Sequence, residues 1–526
     1  MGLRHGLLAS FSLIALAASA GAQPSPGAPV APAAPPGTPA ATELKPARLA
    51  QAPVPVAQPT TPPAVRPAAK TAPVAASAQN VPHTLTEALA ATYSNQPALQ
   101  AERAKLRATD ENVPAALAGW RPTVVLAGTA GYGDGLTREY LTTSAVPTNA
   151  KIRNPRDIAT AQATVSQNLY TGGKTEANVN RSKNQVFAER ANLIAQEQTS
   201  FNNAVGAYVG VIQAKELLAL QINNEQVLAK QLQATNDRFH VGEITRTDVA
   251  QAEAALEGAI ATRETAVGNL QTARGTFQQI IGVFPPDNLI EPQPLNLPVK
   301  SEQEAAILAS GNNPNVVSAQ FNDAAAKDAI DVAFSQLLPQ ISLQGQTFQQ
   351  NNAGGRSTNA NGYQVTAQVS VPIYQGGSEY SAVRAARQQQ QQSARLIDDA
   401  KRTAVQNAVQ AWDTLVAAKA SADSTRAQIR ANEVALEGVE REAIVGSRTT
   451  LDVLNATQLL LQSRTTLVQN LSQVITASYA VAVAIGRLTA RDLHLPVPLY
   501  DETAYYQAVK DRWVGLGDYA TDQPGR

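Results

Sequence analysis

The chain is written twice. A constant offset of 204 residues superimposes Tyr170, Gly172 and Gly173 on Tyr374, Gly376 and Gly377. The same offset carries Val241, Gly242, Thr245 and Asp248 onto Val445, Gly446, Thr449 and Asp452, and Ile281-Gly282 onto Ile485-Gly486, without a gap. Upstream the offset is 217: Asn95 and Pro97 fall on Asn312 and Pro314, Pro122 on Pro339, Leu126 and Gly128 on Leu343 and Gly345. The 13-residue difference (217 minus 204) therefore lies between Gly133 and Ala159. Self-similarity over such a length means one structural unit used twice, so any fold must hold two of them in related positions.

Within each unit the hydrophobic period changes twice. Residues 84–119 read as a helix, with Thr84 as N-cap and Glu87 completing a capping box. After Pro122 the pattern alternates, with Val124, Leu126, Ala130 and Tyr132 on one face. On the return strand Thr160, Gln162, Thr164, Ser166 and Asn168 oppose Ala159, Ala161, Ala163, Val165 and Leu169. In the second copy Gln340, Ser342, Gln344 and Gln346 oppose Ile341 and Leu343, and Gln364, Thr366, Gln368 and Ser370 oppose Tyr363, Val365, Ala367, Val369 and Val371. The polar faces carry no charge. That pattern suits a transmembrane strand with lipid on one side and water on the other, although a half-buried soluble strand alternates in the same way.

Long helices follow. Proline is absent from Arg156 to Phe284 and from Ile373 to Leu495. Residues 174–239 are expected to form one helix of roughly 100 Å at ~1.5 Å per residue. A turn at His240-Val241-Gly242-Glu243 reverses the chain, and a helix half as long returns to Ile281. The helix at 84–119 can stack end to end on that shorter one, so that each repeat makes two parallel rods. Repeat 1 then spans 83–290, with a hairpin at 121–171 and a tip turn at 240–247. Repeat 2 spans 291–495, with a hairpin at 338–375 and a tip turn at 444–451. The extra residues are expected to enlarge the first hairpin's loop, about Asp134 to Ile158.

The two ends bear on the compartment. Leu7 to Ala20 is a short apolar run after a single arginine, and Ala20-Gly21-Ala22 resembles a cleavage site, so residues 1–22 are expected to be a secretory signal peptide. No later stretch reaches 18 uninterrupted apolar residues. An exported chain without such a span is periplasmic, secreted, or inserted as a β-barrel. Cysteine is absent, which excludes disulfide staples and a lipoprotein anchor. Sixteen of the 32 prolines lie between Pro24 and Pro82, so residues 23–82 read as a disordered, extended tether. Residues 496–526 form a C-terminal tail. Lys plus Arg equals Asp plus Glu at 42 each, which gives no basic excess for nucleic acid.

Catalytic, cofactor-binding and metal constellations are not found. Beyond residue 22 the histidines are His83, His240 and His494, none at ligand spacing. Gly173-Lys174-Thr175 looks like the end of a P-loop, but the position for its first glycine holds Asn168. Gly172, Gly173, Gly376 and Gly377 read instead as strand-to-helix turns, and Gln388 to Gln392 as a solvated helical face. Gly242 and Gly446 suit left-handed positions ending a helix, and Asp248 and Asp452 favour the next helix's N-terminus. Four strands cannot stand alone in lipid, because their edges would be unpaired. Eight strands would be filled by side chains, and twelve are the smallest multiple leaving an aqueous lumen.

The order helix, strand pair, long helix, Val-Gly turn, helix, given twice, resembles the TolC family of trimeric outer-membrane factors. The Tyr-x-Gly-Gly segments at 170–173 and 374–377, and the run Val445-Gly446-Ser447-Arg448-Thr449-Thr450-Leu451-Asp452-Val453-Leu454-Asn455-Ala456, are similar to family motifs. The resemblance covers about residues 83–500. It implies a mixed α and β fold: a homotrimer with a 12-stranded transmembrane β-barrel, four strands per protomer, continued by a long periplasmic α-helical barrel. It implies the Gram-negative outer membrane, and docking to a periplasmic adaptor and an inner-membrane ABC transporter or other pump. Val241, Gly242, Val445 and Gly446 are expected at the tip where the adaptor docks. Thr247, Asp248, Arg448 and Asp452 are expected at a periplasmic gate, with Arg448 tied to Asp248 of the other repeat. The chain departs from the family where a gate tyrosine falls on Ala443 and a second acidic residue on Asn455. The ending Leu495-Pro496-Val497-Pro498-Leu499-Tyr500-Asp501, with Tyr505, Tyr506 and Trp513, resembles members serving type I protein secretion. The expected function is therefore a type I exit duct with no enzymatic activity. The alternative is the outer-membrane channel of a tripartite small-molecule efflux pump.

Overall fold

The computed structural model describes residues 82–141, 148–517 and 519. The expected signal peptide, the tether up to residue 81, residues 142–147 and the end of the tail lie outside the described residues. The first copy runs α1 (Leu85–Asn95), α2 (Pro97–Asp110), α3 (Asn112–Leu117), β1 (Thr123–Gly133), β2 (Leu136–Leu141), β3 (Thr148–Arg153), β4 (Arg156–Tyr170), α4 (Lys174–His240) and α5 (Arg246–Ile281). The second runs α6 (Glu302–Asn312), α7 (Pro314–Phe334), β5 (Gln340–Asn351), β6 (Asn359–Ser370), α8 (Ser378–Ile444) and α9 (Thr450–Ala484), and α10 (Ala504–Val509) follows. Both long helices, α4 and α8, have 67 residues, so each is about 100 Å long.

The expected continuous helix over 84–119 is instead three pieces. Thr84 does cap it, with both halves of the Thr84–Glu87 box formed. A residue before proline is pushed out of the helical region. Gln96, before Pro97, sits at φ −66° and ψ 116°, and Asn313, before Pro314, repeats this at −62° and 127°. A second break at Glu111 precedes Pro114, which has no N–H for the Asp110 carbonyl. The connection from β1 to β4 is the longer one, as expected, but it carries structure of its own. Leu136 to Leu141 pairs with Thr148 to Arg153 as a separate two-stranded ladder, closed at its base by Arg153 on Asp134 (3.0 Å from Nε).

The half-length helices do stack end to end. In repeat 2, α9 ends against the break between α6 and α7, where the Asn313 side-chain amide donates to the Ala484 carbonyl at 3.1 Å. A Cβ on Gly486 (φ +78°) would lie 2.5 Å from the Asn312 carbonyl oxygen. The core lies along α4, where Leu99, Leu106, Phe201, Tyr208, Phe277 and Ile281 are buried together. A second cluster, rich in alanine, surrounds Ala408, Leu415, Val481 and Ile485. Both α4 and α9 contain a stretch long and apolar enough to cross a bilayer by length and composition. Those helices also bury Phe201, Ala204 and Val205, and Val474, Ala477 and Val481, inside the bundle.

The C-terminal segment straps the upper helices together. The Tyr500 N–H donates to the Tyr93 hydroxyl (2.9 Å), and the Tyr505 hydroxyl to Glu111 (2.8 Å). Arg121, just before β1, donates to the Arg512 carbonyl and stacks on Trp513 with its charge 5.1 Å from the ring centre. Beneath the strap Asp110 is buried, and burial pushes its carboxyl up to about 7 against the pull of Arg190 and Arg107.

Two predictions follow from this packing. An unfolded aspartate titrates near ~3.9, so the folded chain holds the extra proton at Asp110 from about pH 4 to 7, and stability from this group is lost as pH rises through that window. Asp110→Asn is expected to raise the thermal midpoint at pH 8 and to leave it nearly unchanged at pH 4. Calorimetry of detergent-solubilised protein at both values checks this, and equal shifts at both would refute it. Gly446 is left-handed but open, whereas Gly486 faces backbone. Gly446→Ala is expected to cost roughly 1–2 kcal/mol, and Gly486→Ala distinctly more, as read by denaturant midpoints.

Candidate functional site

The site is a surface with two faces and a tip. The four-stranded sheet has the order β1-β4-β5-β6, every pair antiparallel. Register puts Val124 beside Val165, Val165 beside Gly345 and Gly345 beside Val365, so one face is a continuous apolar belt. Among the described residues nothing covers it: Leu126 is 80% exposed, Val365 67% and Tyr363 85%. In water such a patch is a liability; against acyl chains it is the required surface.

The opposite face is a polar, uncharged mesh. Gln364 Nε2 donates to Gln346 Oε1 at 3.0 Å, and Gln346 Nε2 donates to Gln162 Oε1 at 2.9 Å, a ladder across three strands. The Thr129 and Thr160 hydroxyls meet at 2.6 Å. Side-chain amides that satisfy one another leave the middle of this wall without fixed charge, Arg156 standing on the same face at the start of β4. Among the described residues the sheet has two free edges, at β1 and β6.

Each strand-to-helix turn is set by the expected glycine pair. Gly172, Gly173, Gly376 and Gly377 have φ of +65°, +83°, +71° and +84°. A Cβ on Gly172 would lie 2.8 Å from that of Leu338 and 2.9 Å from the Ser335 carbonyl, so this residue also allows the two repeats to approach.

At the far end of the long helices the two tips are near copies. Gly242 and Gly446 have φ of +80° and +79°, and the bonds from Glu243 N to the Arg238 carbonyl (3.0 Å) and from Ser447 N to the Glu442 carbonyl (3.0 Å) are the Schellman closures. Thr245 and Thr449 then cap the returning helices in reciprocal boxes with Asp248 and Asp452. Bonds from the Thr245 side chain and backbone hold the Asp248 carboxyl below its ordinary range. The Thr449 backbone and side chain do the same for Asp452. Val241 and Val445 are 78% and 77% exposed, an apolar knob on each turn, and Thr247 is exposed beside them.

The expected Arg448–Asp248 tie is not made within the protomer. Among the described residues Arg448 is paired with Glu442 of its own turn, Nε to Oε2 at 2.8 Å. Repeat 1 holds the counterpart, Arg238 Nε to Glu243 Oε2 at 3.0 Å. Sequence reasoning missed both pairs, although opposite charges five and six residues apart across a Gly turn are a local signal for them. Ala443 is buried against the bundle and Asn455 is exposed.

An uncovered apolar belt backed by a polar sheet, on a chain of paired ~100 Å helices, defines a protomer of an outer-membrane channel. Residues 88–283 and 307–487 match the family model described as outer membrane efflux protein, and the chain belongs to that family. It is 36% identical over 435 residues to the outer membrane efflux protein BepC of Brucella suis, covering 82% of this chain and 92% of that one. It is 25% identical to the outer membrane protein TolC of Escherichia coli, covering 62% and 71%. A more distant relative is the alkaline protease secretion protein AprF of Pseudomonas aeruginosa, 24% identical over 57% of this chain and 64% of that one. The solved outer membrane protein VceC of Vibrio cholerae superimposes with a TM-score of 0.64 at 20% identity, covering 76% and 96%. The fold is thus the mixed α and β, TolC-like one, the location is the Gram-negative outer membrane, and the class of function is an outer-membrane channel for efflux or secretion.

Proposed function

We propose that three copies close into one duct, a twelve-stranded barrel continued by a helical tube, through which an inner-membrane pump and a periplasmic adaptor discharge substrate. The two free edges of the sheet carry this reading. Backbone donors and acceptors left unpaired in lipid each cost several kcal/mol, so β1 of one copy must meet β6 of another. The exposed Val241 and Val445 knobs support tip-to-adaptor docking at Val241-Gly242 and Val445-Gly446. Purified protein in a planar bilayer is expected to conduct ions in discrete steps; a bilayer that stays sealed under every applied voltage sinks the duct.

The gate is proposed at the same tips. The cap bonds to Asp248 and Asp452 use Oδ2 alone, and Glu442 engages only Nε of the Arg448 fork. Each group therefore keeps bonding capacity for a neighbouring turn once tips converge, as a guanidinium facing carboxylates allows. Arg448→Ser is expected to raise open probability or conductance with the trimer intact. Asp452→Asn keeps an oxygen for the cap but removes three charges from the ring, and is expected to weaken cation preference. Thr449→Ala, which loosens the cap and keeps the charge, is expected to leave that preference alone. Reversal potentials in a salt gradient separate the three. Behaviour identical to wild type for Arg448→Ser and Asp452→Asn would reduce both residues to helix-end chemistry.

On substrate class, the family description and the 36% likeness to an efflux protein favour small molecules. Protein export by a type I system is the second reading, favoured by the likeness to AprF. The aromatic tail does not by itself favour secretion, because Tyr500, Tyr505 and Trp513 have packing roles in the strap. Deleting the gene and comparing drug sensitivity with the secreted proteome decides: drug hypersensitivity with unchanged secretion supports efflux, and the reverse supports protein export.

A further inference from the structure

Where the sheet meets the helices, a cavity of about 790 Å³ opens on the polar face. Its walls include Asn112 of α3, Gln340 of β5, Gln368 of β6, and Lys174, Asn178 and Arg181 of α4. The last three stand at i, i+4 and i+7, one stripe of a helix, with the two cations about 10 Å apart along its axis. Both are exposed, and no carboxylate lines the cavity. Among the described residues neither cation has an ion-pair partner.

The second repeat is an internal control for what these charges do. At the offset of 204 residues, Lys174 and Arg181 become Ser378 and Ala385. The helix they would start, α8, has the same 67 residues and the same left-handed glycine N-cap as α4. Neither cation is needed to start or stiffen the helix, and neither is held by a carboxylate of the protomer. What remains is the space they face.

We infer that Lys174 and Arg181 form an anion-binding collar at the base of the barrel, which takes polyvalent anionic groups, phosphates or clustered carboxylates, of a molecule in transit. The inference rests on the reading that the polar face lines the lumen of a trimer, so that three lysines and three arginines ring it. Their axial spacing is close to the Debye length of about 8 Å at physiological ionic strength, so a polyvalent anion feels both rings together while a chloride ion feels mostly one. The tips with Asp248 and Asp452 lie the length of α4 away, about 100 Å, and are screened from the collar entirely. The collar therefore acts independently of the tips, as a basic ring where the duct enters the barrel.

The test is single-channel recording of the full-length protein with inorganic tripolyphosphate as probe. Micromolar probe on the barrel side is expected to block wild type reversibly, and the block is expected to fade in 1 M salt. A variant carrying Lys174→Ser and Arg181→Ala, the residues the second repeat uses, is expected to need at least tenfold more probe for the same block. A variant carrying Lys174→Arg and Arg181→Lys, which keeps both charges, is expected to retain wild-type block. Wild type that conducts but is not blocked, or equal block in wild type and the neutral variant, overturns the collar and leaves the duct standing. Wild type that forms no channel at all fails the duct reading, and the collar with it.

Discussion

Everything in this molecule hangs on a hydrogen-bonding debt at two strand edges. Among its described residues the protomer pairs β1 with β4, β4 with β5 and β5 with β6, and leaves the outer edges of β1 and β6 open. In water such edges are a risk; in hydrocarbon they are forbidden, because no solvent can satisfy them. The apolar belt of Val124, Val165 and Val365 places the sheet in hydrocarbon. Closure through other copies of the chain is therefore a condition of the fold being viable. Below the membrane each protomer then supplies two helical pairs to the same ring, which explains why both copies spend the same 67 residues on their long helix. Unequal rods would leave the tips at different depths.

How much of this was legible in the sequence depends on how local each determinant is. The Thr84–Glu87 box, the Gly172-Gly173 and Gly376-Gly377 turns, and the left-handed Gly242 and Gly446 each follow from one or two residues and their backbone preferences, and each is formed as expected. Strand faces were legible because alternation with a period of two leaves no freedom once lipid and water are assigned. The kink at Gln96-Pro97 is marked in the sequence by an aligned proline, but the helical period continues on both sides of it and hides the break. The β2–β3 ladder escaped because its polar sequence, Arg138 to Lys151, reads as a loop.

What the sequence could not give was the choice among partners. Arg448 has several acids within a few residues and another in the opposite repeat. The folded turn pairs it with Glu442 rather than Asp248 within one protomer. Repeat 1 solves the same problem with the charges reversed, Arg238 on the helix and Glu243 in the turn. The geometry of each turn is preserved while its charges are exchanged, which is expected when glycine and the Thr–Asp box set the backbone and the ion pair only decorates it.

That separation between backbone and charge gives a rule for reading the duplication. Positions where both copies carry the same residue, such as Gly172 with Gly376 or Thr245 with Thr449, are those where the backbone itself imposes the choice. Where only one copy is charged and that charge has no partner among the described residues, the element itself does not explain it, since the other copy builds the same element without the charge. Lys174 against Ser378 and Arg181 against Ala385 are such positions, and both cations face the polar cavity rather than a neighbouring helix's carboxylate. In a chain whose two halves must match in length and curvature, asymmetric charge is the cheapest way to give the lumen a chemistry without disturbing the ring. Function is therefore to be sought in the differences between the repeats, and stability in what they share.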